Sequence, residues 1–171
     1  MMEWQIFTIT TIVENAANLE AFDVADMDGD SEMDIILGYD QFSGDQIVLV
    51  KNNGANNFET INILSSSFSS LGGLIVEDIN DDEKNDVLAF KSFSCSAFIN
   101  QGNDTYEGQS IASSSDFIRS IQTGDYNGDG KKDIILGANG DDILWFENTS
   151  NTSLTLESGV FVGGVTPCFS I

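Results

Sequence analysis

Short apolar runs bordered by Gly, Asn, Asp and Ser recur along the chain, and no stretch sustains a helical spacing. Runs of four to seven residues with such borders read as strands. They sort into three sets of four. First strands are Ala21 to Ala25, Leu74 to Glu77 and Ile121 to Gly124, and second strands are Ile35 to Gly38, Val87 to Phe90 and Ile134 to Gly137. Third strands are Gln46 to Val50, Ser96 to Ile99 and Ile143 to Phe146. Each leads to a polar turn: Asn52-Asn53-Gly54, Gln101-Gly102-Asn103 or Asn148-Thr149-Ser150. Fourth strands open on an apolar or aromatic residue: Phe58 to Leu64, Tyr106 to Ala112 and Leu154 to Phe161. A single proline fits this all-β reading.

Between first and second strands lies the same acidic loop each time. Its copies are Asp26-Met-Asp28-Gly-Asp30-Ser-Glu32-Met-Asp34, Asp78-Ile-Asn80-Asp-Asp82-Glu-Lys84-Asn-Asp86 and Asp125-Tyr-Asn127-Gly-Asp129-Gly-Lys131-Lys-Asp133. They begin at residues 26, 78 and 125, a period near 50 residues, and such a period points to a β-propeller or a similar array. The expected organisation is a blade of four antiparallel strands over residues 19–66, a second over 71–113 and a third over 118–162. Trp4 to Val13 alternates like a fourth strand, so residues 1–18 read as the outer strand of a preceding or incomplete blade. Cys168 to Ile171 lines up with Ala21 to Val24, so residues 163–171 read as the start of a truncated fourth. The expectation is a partial propeller of about three blades, either a piece of a larger array or an open arc that associates with something.

Oxygen donors at loop positions 1, 3 and 5 converge when a backbone curls around a small cation, and calcium takes six to eight oxygens. Position 7 is Glu32, Lys84 or Lys131. A lysine ammonium cannot ligate a cation, so this position offers its carbonyl. Position 9 is always Asp and completes the shell. An EF-hand is excluded, because its Glu at position 12 is replaced by Leu37, Ala89 or Leu136 inside an apolar run. The loops thus predict up to three calcium ions. The second is the most irregular site, since Asp81 and Glu83 stand where Gly29 and Gly128, or Gly130, stand in the other copies. Calcium at such turns staples the fold rather than catalysing a reaction.

The charge sharpens this picture. Against 28 acidic residues stand 6 basic ones, for a net charge of −22. Ten of the carboxylates occupy positions 1, 3, 5 and 9 of the loops. Three divalent cations carry six positive charges and bring −22 to −16, still strongly acidic. Nucleic acid and anionic membranes are therefore not expected as partners. No apolar run is long enough for a membrane span. The chain has no histidine, which removes histidine triads, histidine bases and imidazole metal sites. Cys95 and Cys168 match no zinc or redox spacing, and read as two isolated thiols or one disulfide.

The loop pattern followed by Ile-Ile-Leu-Gly, with a later Trp145-Phe-Glu-Asn148, resembles the FG-GAP/VCBS repeat, which builds the propeller of integrin α-subunits and of many secreted bacterial proteins. The resemblance spans about Trp4 to Ile171. It departs in the second loop, which lacks the usual glycines, and in the Phe-Gly and Gly-Ala-Pro signatures, of which Gly137-Ala-Asn139 is the nearest match. The resemblance implies four-stranded blades with calcium held between the first and second strands. By position, the implied ligands are Asp26, Asp28, Asp30, Glu32 and Asp34 in the first blade. The second uses Asp78, Asn80, Asp82, Lys84 and Asp86, and the third uses Asp125, Asn127, Asp129, Lys131 and Asp133.

The leading functional expectation is a non-enzymatic, calcium-stabilised propeller segment for adhesion or scaffolding in a secreted or surface protein. Its partners would be a protein or glycan, and the remaining blades of a larger propeller or a second copy. The alternative is a carbohydrate-binding module that stacks sugars on Trp4, Tyr39, Tyr106, Tyr126 and Trp145, although their place in strand patterns favours packing between blades. An enzyme using Asp141 and Asp142 is disfavoured, since neighbouring residues at a strand-edge turn face opposite ways and no histidine assists them.

Overall fold

A computed structural model describes residues 9–14, 18–39, 45–68, 71–113, 117–139, 143–150 and 154–157. Its strands are β1 (Leu19–Ala25), β2 (Asp34–Tyr39), β3 (Asp45–Asn52), β4 (Phe58–Phe68), β5 (Leu71–Glu77), β6 (Asp86–Lys91), β7 (Ser94–Asn100), β8 (Tyr106–Ser113), β9 (Ile118–Gly124), β10 (Asp133–Ala138), β11 (Ile143–Asn148) and β12 (Leu156–Glu157). They form three sheets, β1-β2-β3-β4, β5-β6-β7-β8 and β9-β10-β11-β12, in which every neighbour is antiparallel. The architecture is all-β, with the four-strand meanders of partial propeller blades, as the sequence pattern predicts. The innermost strands lie side by side, β1 next to β5 and β5 next to β9.

Side chains alternate across each strand, and the middle strands β2 and β6 bury both faces, which accounts for their apolar residues 35–38 and 87–90 behind the opening Asp. Ile36 of β2 and Ile47 and Leu49 of β3 pack with Leu74 of β5, Val87 and Ala89 of β6 and Phe98 of β7, forming the core between blades one and two. On the opposite face of β6, Leu88 and Phe90 join Ala97 and Ile99 of β7 against Ile118, Ile121, Ile134 and Leu136 of blade three. Full burial of one such side chain contributes about 1.5–3 kcal/mol, so blade stacking holds the array together. The outer face of blade one buries Leu37, Tyr39, Val48 and Val50, with Val13 packed against it. Residues 9–14 belong to no strand, and Trp4 to Thr8 and residues 163–171 lie outside the described residues.

One register position shows how the blades complement one another. It pairs Ala21 with Gly38 in blade one, Gly73 with Phe90 in blade two, and Ser120 with Gly137 in blade three. A Cβ on Gly38 would stand 2.2 Å from Leu71 Cδ2 and 3.0 Å from Leu74 Cδ2, both of blade two. In blade two the large residue has changed strands. Phe90 lies over Gly72 and Gly73, where added Cβ atoms would meet its ring at 2.6 and 2.7 Å.

The flanks of the array differ from its interior. Leu74 and Ile121, each four residues ahead of its loop, are buried against the preceding blade, whereas their counterpart Phe22 is 64% exposed. Loop position 2 is buried in Met27 and Ile79 and 52% exposed in Tyr126.

Gly38→Ala is expected to destabilise the protein by about 1–3 kcal/mol through overpacking against Leu71. Urea unfolding measures it, and a Leu71→Ala partner substitution should recover part of the loss; an unchanged midpoint for Gly38→Ala would refute the close approach.

Candidate functional site

Each acidic loop is folded by its own carboxylates. The first Asp accepts backbone N–H groups from across the turn: Asp26 from Gly29 at 2.7 Å and Ser31 at 2.9 Å, Asp78 from Asp82 at 3.1 Å and Glu83 at 2.9 Å, and Asp125 from Gly128 at 2.7 Å, Asp129 at 3.1 Å and Gly130 at 2.9 Å. The oxygens of Asp28, Asn80 and Asn127 accept from the residue two further on, at 3.0–3.2 Å. Those of Asp30, Asp82 and Asp129 do the same at 2.8–3.0 Å. Such local bonds favour turns over strand ladders. Aiming these N–H groups at oxygens requires left-handed backbone at positions 4 and 6. Gly29, Asp81 and Gly128 take it at φ 81°, 62° and 81°, and Ser31, Glu83 and Gly130 take it at 73°, 66° and 87°.

The expected irregularity of the second loop is thus one of strain rather than of shape. Its backbone makes the same double left-handed turn with two residues that carry a Cβ. Position 6 was legible only in Gly130, since neither Ser31 nor Glu83 signals positive φ.

The ninth residue is the anchor. Asp34, Asp86 and Asp133 have no exposed surface, and both oxygens of each accept backbone N–H groups. One comes from loop position 2: Met27 at 2.8 Å, Ile79 at 3.2 Å or Tyr126 at 3.2 Å. The other comes from the end of the third strand: Asn52 at 2.8 Å, Asn100 at 2.8 Å or Asn148 at 2.9 Å. Burial pushes the Asp86 carboxyl up to about 6, against the pull of its two N–H partners, with the charges of Asp82 and Asp78 adding to the rise. Burial raises Asp34 as well. These carboxylates hold their charge at a cost that a nearby cation would offset.

In the first loop, single oxygens of Asp26, Asp28 and Asp34 lie within 4.8 Å of one another, a separation that one cation can bridge. Asn80 and Asn127 replace Asp28 at position 3 of the other two loops, leaving fewer carboxylates to converge. A lysine ammonium stands on one carboxylate of each loop. Lys51 lies 2.7 Å from Asp28, Lys84 lies 2.9 Å from Asp82, and Lys131 contacts Asp129. Half of the six basic residues thus serve the loops. Lys51 comes from β3 and also approaches Asp104 of blade two at 3.5 Å, a contact that sequence spacing does not reveal. The donors are carboxylate, amide and carbonyl oxygens, a set that fits a hard divalent cation such as calcium.

A polar cleft of about 610 Å³ opens between the first loop and blade two, lined among others by Asp26, Asp28, Lys51, Lys84 and Asp104. Among the described residues no aromatic ring lines it. Tyr39 is buried in the outer face of blade one and Tyr106 packs into the core between blades one and two, so both are packing residues. Trp145 is half-buried, Tyr126 is exposed, and Trp4, Asp141 and Asp142 lie outside the described residues. Cys95 is a buried free thiol pushed up to about 12 by desolvation, hence unreactive; Cys168 lies outside the described residues.

Because added Cβ atoms at Gly128 and Gly130 meet nothing within 4 Å, Gly130→Ala isolates backbone strain and should cost about 1–2 kcal/mol. Glu83→Gly should stabilise the metal-free protein by a similar about 1 kcal/mol. Denaturant midpoints in chelator test both signs.

Two family models match the chain. Residues 78–136 match an FG-GAP-like repeat, and residues 117–156 match an FG-GAP repeat. Together these spans cover the second and third loops and much of their blades, and the first blade repeats the same loop and topology outside them. No curated protein matches the chain. Residues 78–156 are thus built of FG-GAP repeats.

Proposed function

We propose that this chain is a calcium-binding propeller segment that serves adhesion or scaffolding outside the cell or at its surface, without catalysing a reaction. The observation that carries the reading is the convergence of Asp26, Asp28 and Asp34, repeated in outline by two further loops of the same backbone shape. The first loop would hold calcium with Asp26, Asp28, Asp30 and Asp34 and the carbonyl of Glu32. The others would use Asp78, Asn80, Asp82 and Asp86 with the Lys84 carbonyl, and Asp125, Asn127, Asp129 and Asp133 with the Lys131 carbonyl. Bound calcium supplies positive charge where ten carboxylates of an acidic chain are gathered. The loop residues orient their oxygens through the N–H bonds described above, and Lys51, Lys84 and Lys131 each contact one carboxylate that the cation would share.

FG-GAP repeats are typical of extracellular and surface proteins, which supports the proposed location. Among the described residues no helix is long and apolar enough to cross a membrane. The exposed Phe22, Val24 and Tyr126 suit association with further blades, from a larger propeller or a second copy. The partner so served would be a protein or a glycan.

Calorimetric titration with calcium should give up to three binding equivalents, and calcium at a hundredfold above its dissociation constant should stabilise the fold by about 2.7 kcal/mol per site. Asp30→Ala should remove one equivalent and leave the fold intact, because this exposed side chain bonds within its own loop, accepting the Glu32 N–H. Absence of both heat and stabilisation at millimolar calcium would sink the calcium reading.

A further inference from the structure

The three loops are joined by hydrogen bonds that cross the blade interfaces. Asn100, at the end of β7 in blade two, donates its side-chain amide to the Met27 carbonyl of loop one at 2.8 Å. Asn148, at the end of β11 in blade three, donates in the same way to the Ile79 carbonyl of loop two at 3.0 Å. Both asparagines are almost fully buried. Their backbone N–H groups bind Asp86 and Asp133, the anchors of loops two and three. Those anchors in turn hold the N–H groups of Ile79 and Tyr126.

The bonds form one uninterrupted series. It runs from the Met27 carbonyl through Asn100 and Asp86 to the Ile79 peptide, and from its carbonyl through Asn148 and Asp133 to Tyr126. Each asparagine therefore touches two loops. Its backbone meets the ninth residue of its own blade's loop, and its amide meets the second residue of the loop before; the Asn100 amide also donates to the Asn85 carbonyl of its own loop at 3.1 Å. Buried networks of this kind are stiff, since any break leaves an unpaired polar group away from water. Reorienting Asp86 or Asp133 must move the asparagine that grips the neighbouring loop.

Asn52 provides the internal contrast. It occupies the same place in blade one and makes the same local bonds, with its N–H on Asp34 and its side-chain oxygen accepting the Gly54 N–H. Its amide donates to Met33 of its own blade at 3.3 Å and to no neighbouring blade among the described residues.

We propose that Asn100 and Asn148 are positioning residues for the cation in the loop of the preceding blade, so that occupancy of adjacent loops is interdependent. The proposal rests on calcium binding as read above. Filling loop three fixes Asp133, which fixes Asn148 and organises loop two; filling loop two does the same for loop one through Asp86 and Asn100. By reciprocity each loop also favours its successor.

The test is a calcium titration followed residue by residue by amide NMR, with position 4 of each loop (Gly29, Asp81 and Gly128) as reporter. Asn148→Ala should weaken calcium binding at loop two, which does not contain residue 148, by about fivefold, the worth of one ordinary hydrogen bond. Asn52→Ala should leave loops two and three as they are. Asp129→Ala, which disables loop three at an exposed residue, should also weaken loop two by about fivefold. Should Asn148→Ala fail to fold, Asn100→Ala read at loop one provides the same comparison. Loop-two affinity within about twofold of wild type in both Asn148→Ala and Asp129→Ala would overturn the proposal. So would a loss in Asn148→Ala spread equally over loops one and two, the mark of general loosening. A wild-type protein whose loops all take calcium independently refutes the coupling alone; one whose loops take none refutes the calcium reading with it.

Discussion

Everything in this fold hangs on a carboxylate buried where each acidic loop turns into its second strand. Asp34, Asp86 and Asp133 are cut off from water, and each ties its loop to the end of the third strand with two backbone N–H bonds. Without that brace the loop would be a long polar excursion between strands. With it, the loop becomes part of the blade, and position 2 is carried into the interface, where Met27 and Ile79 join the apolar cores. The same group that shapes the candidate metal site therefore also supports blade packing. Electrostatics and hydrophobic burial are not separable here, because one carboxylate serves both.

Much of this was readable in the residues, for physical reasons. Side-chain oxygens must recur at fixed intervals to turn a chain around a point, so Asp26, Asp78 and Asp125 announced themselves. The middle strands did likewise, since burial on both faces keeps β2 and β6 apolar behind the Asp that opens each, over residues 35–38 and 87–90. The asparagines that end the third strands were harder to see. Asn52, Asn100 and Asn148 follow their anchors by 18, 14 and 15 residues, because the hairpin between second and third strands varies in length. Read from the acidic loop they look like ordinary turn residues. Their common role emerges only when the ends of the third strands are superposed. Lys51 is hidden for a related reason, as its partner Asp28 lies across the sheet rather than along the chain.

The lysines also show how an acidic protein manages its own repulsion. Three of six basic residues sit on loop carboxylates rather than being spread over the surface. Such partly exposed pairs contribute little to stability individually. Their effect is local: they lower the negative potential at the places where it is most concentrated.

The exchange of large and small residues between Gly38–Ala21, Phe90–Gly73 and Gly137–Ser120 carries a consequence for how such arrays evolve. Repeats that arise by duplication begin as interchangeable units. Here each blade has acquired a private shape at the same address, and the bulk of Phe90 is tolerated only above Gly72 and Gly73. A copy of blade two spliced into the first place would set a phenyl ring where Leu71 now closes on a glycine. The order of the blades is therefore written into their packing, and recombination within the array is penalised even though the strands and loops of every repeat look alike.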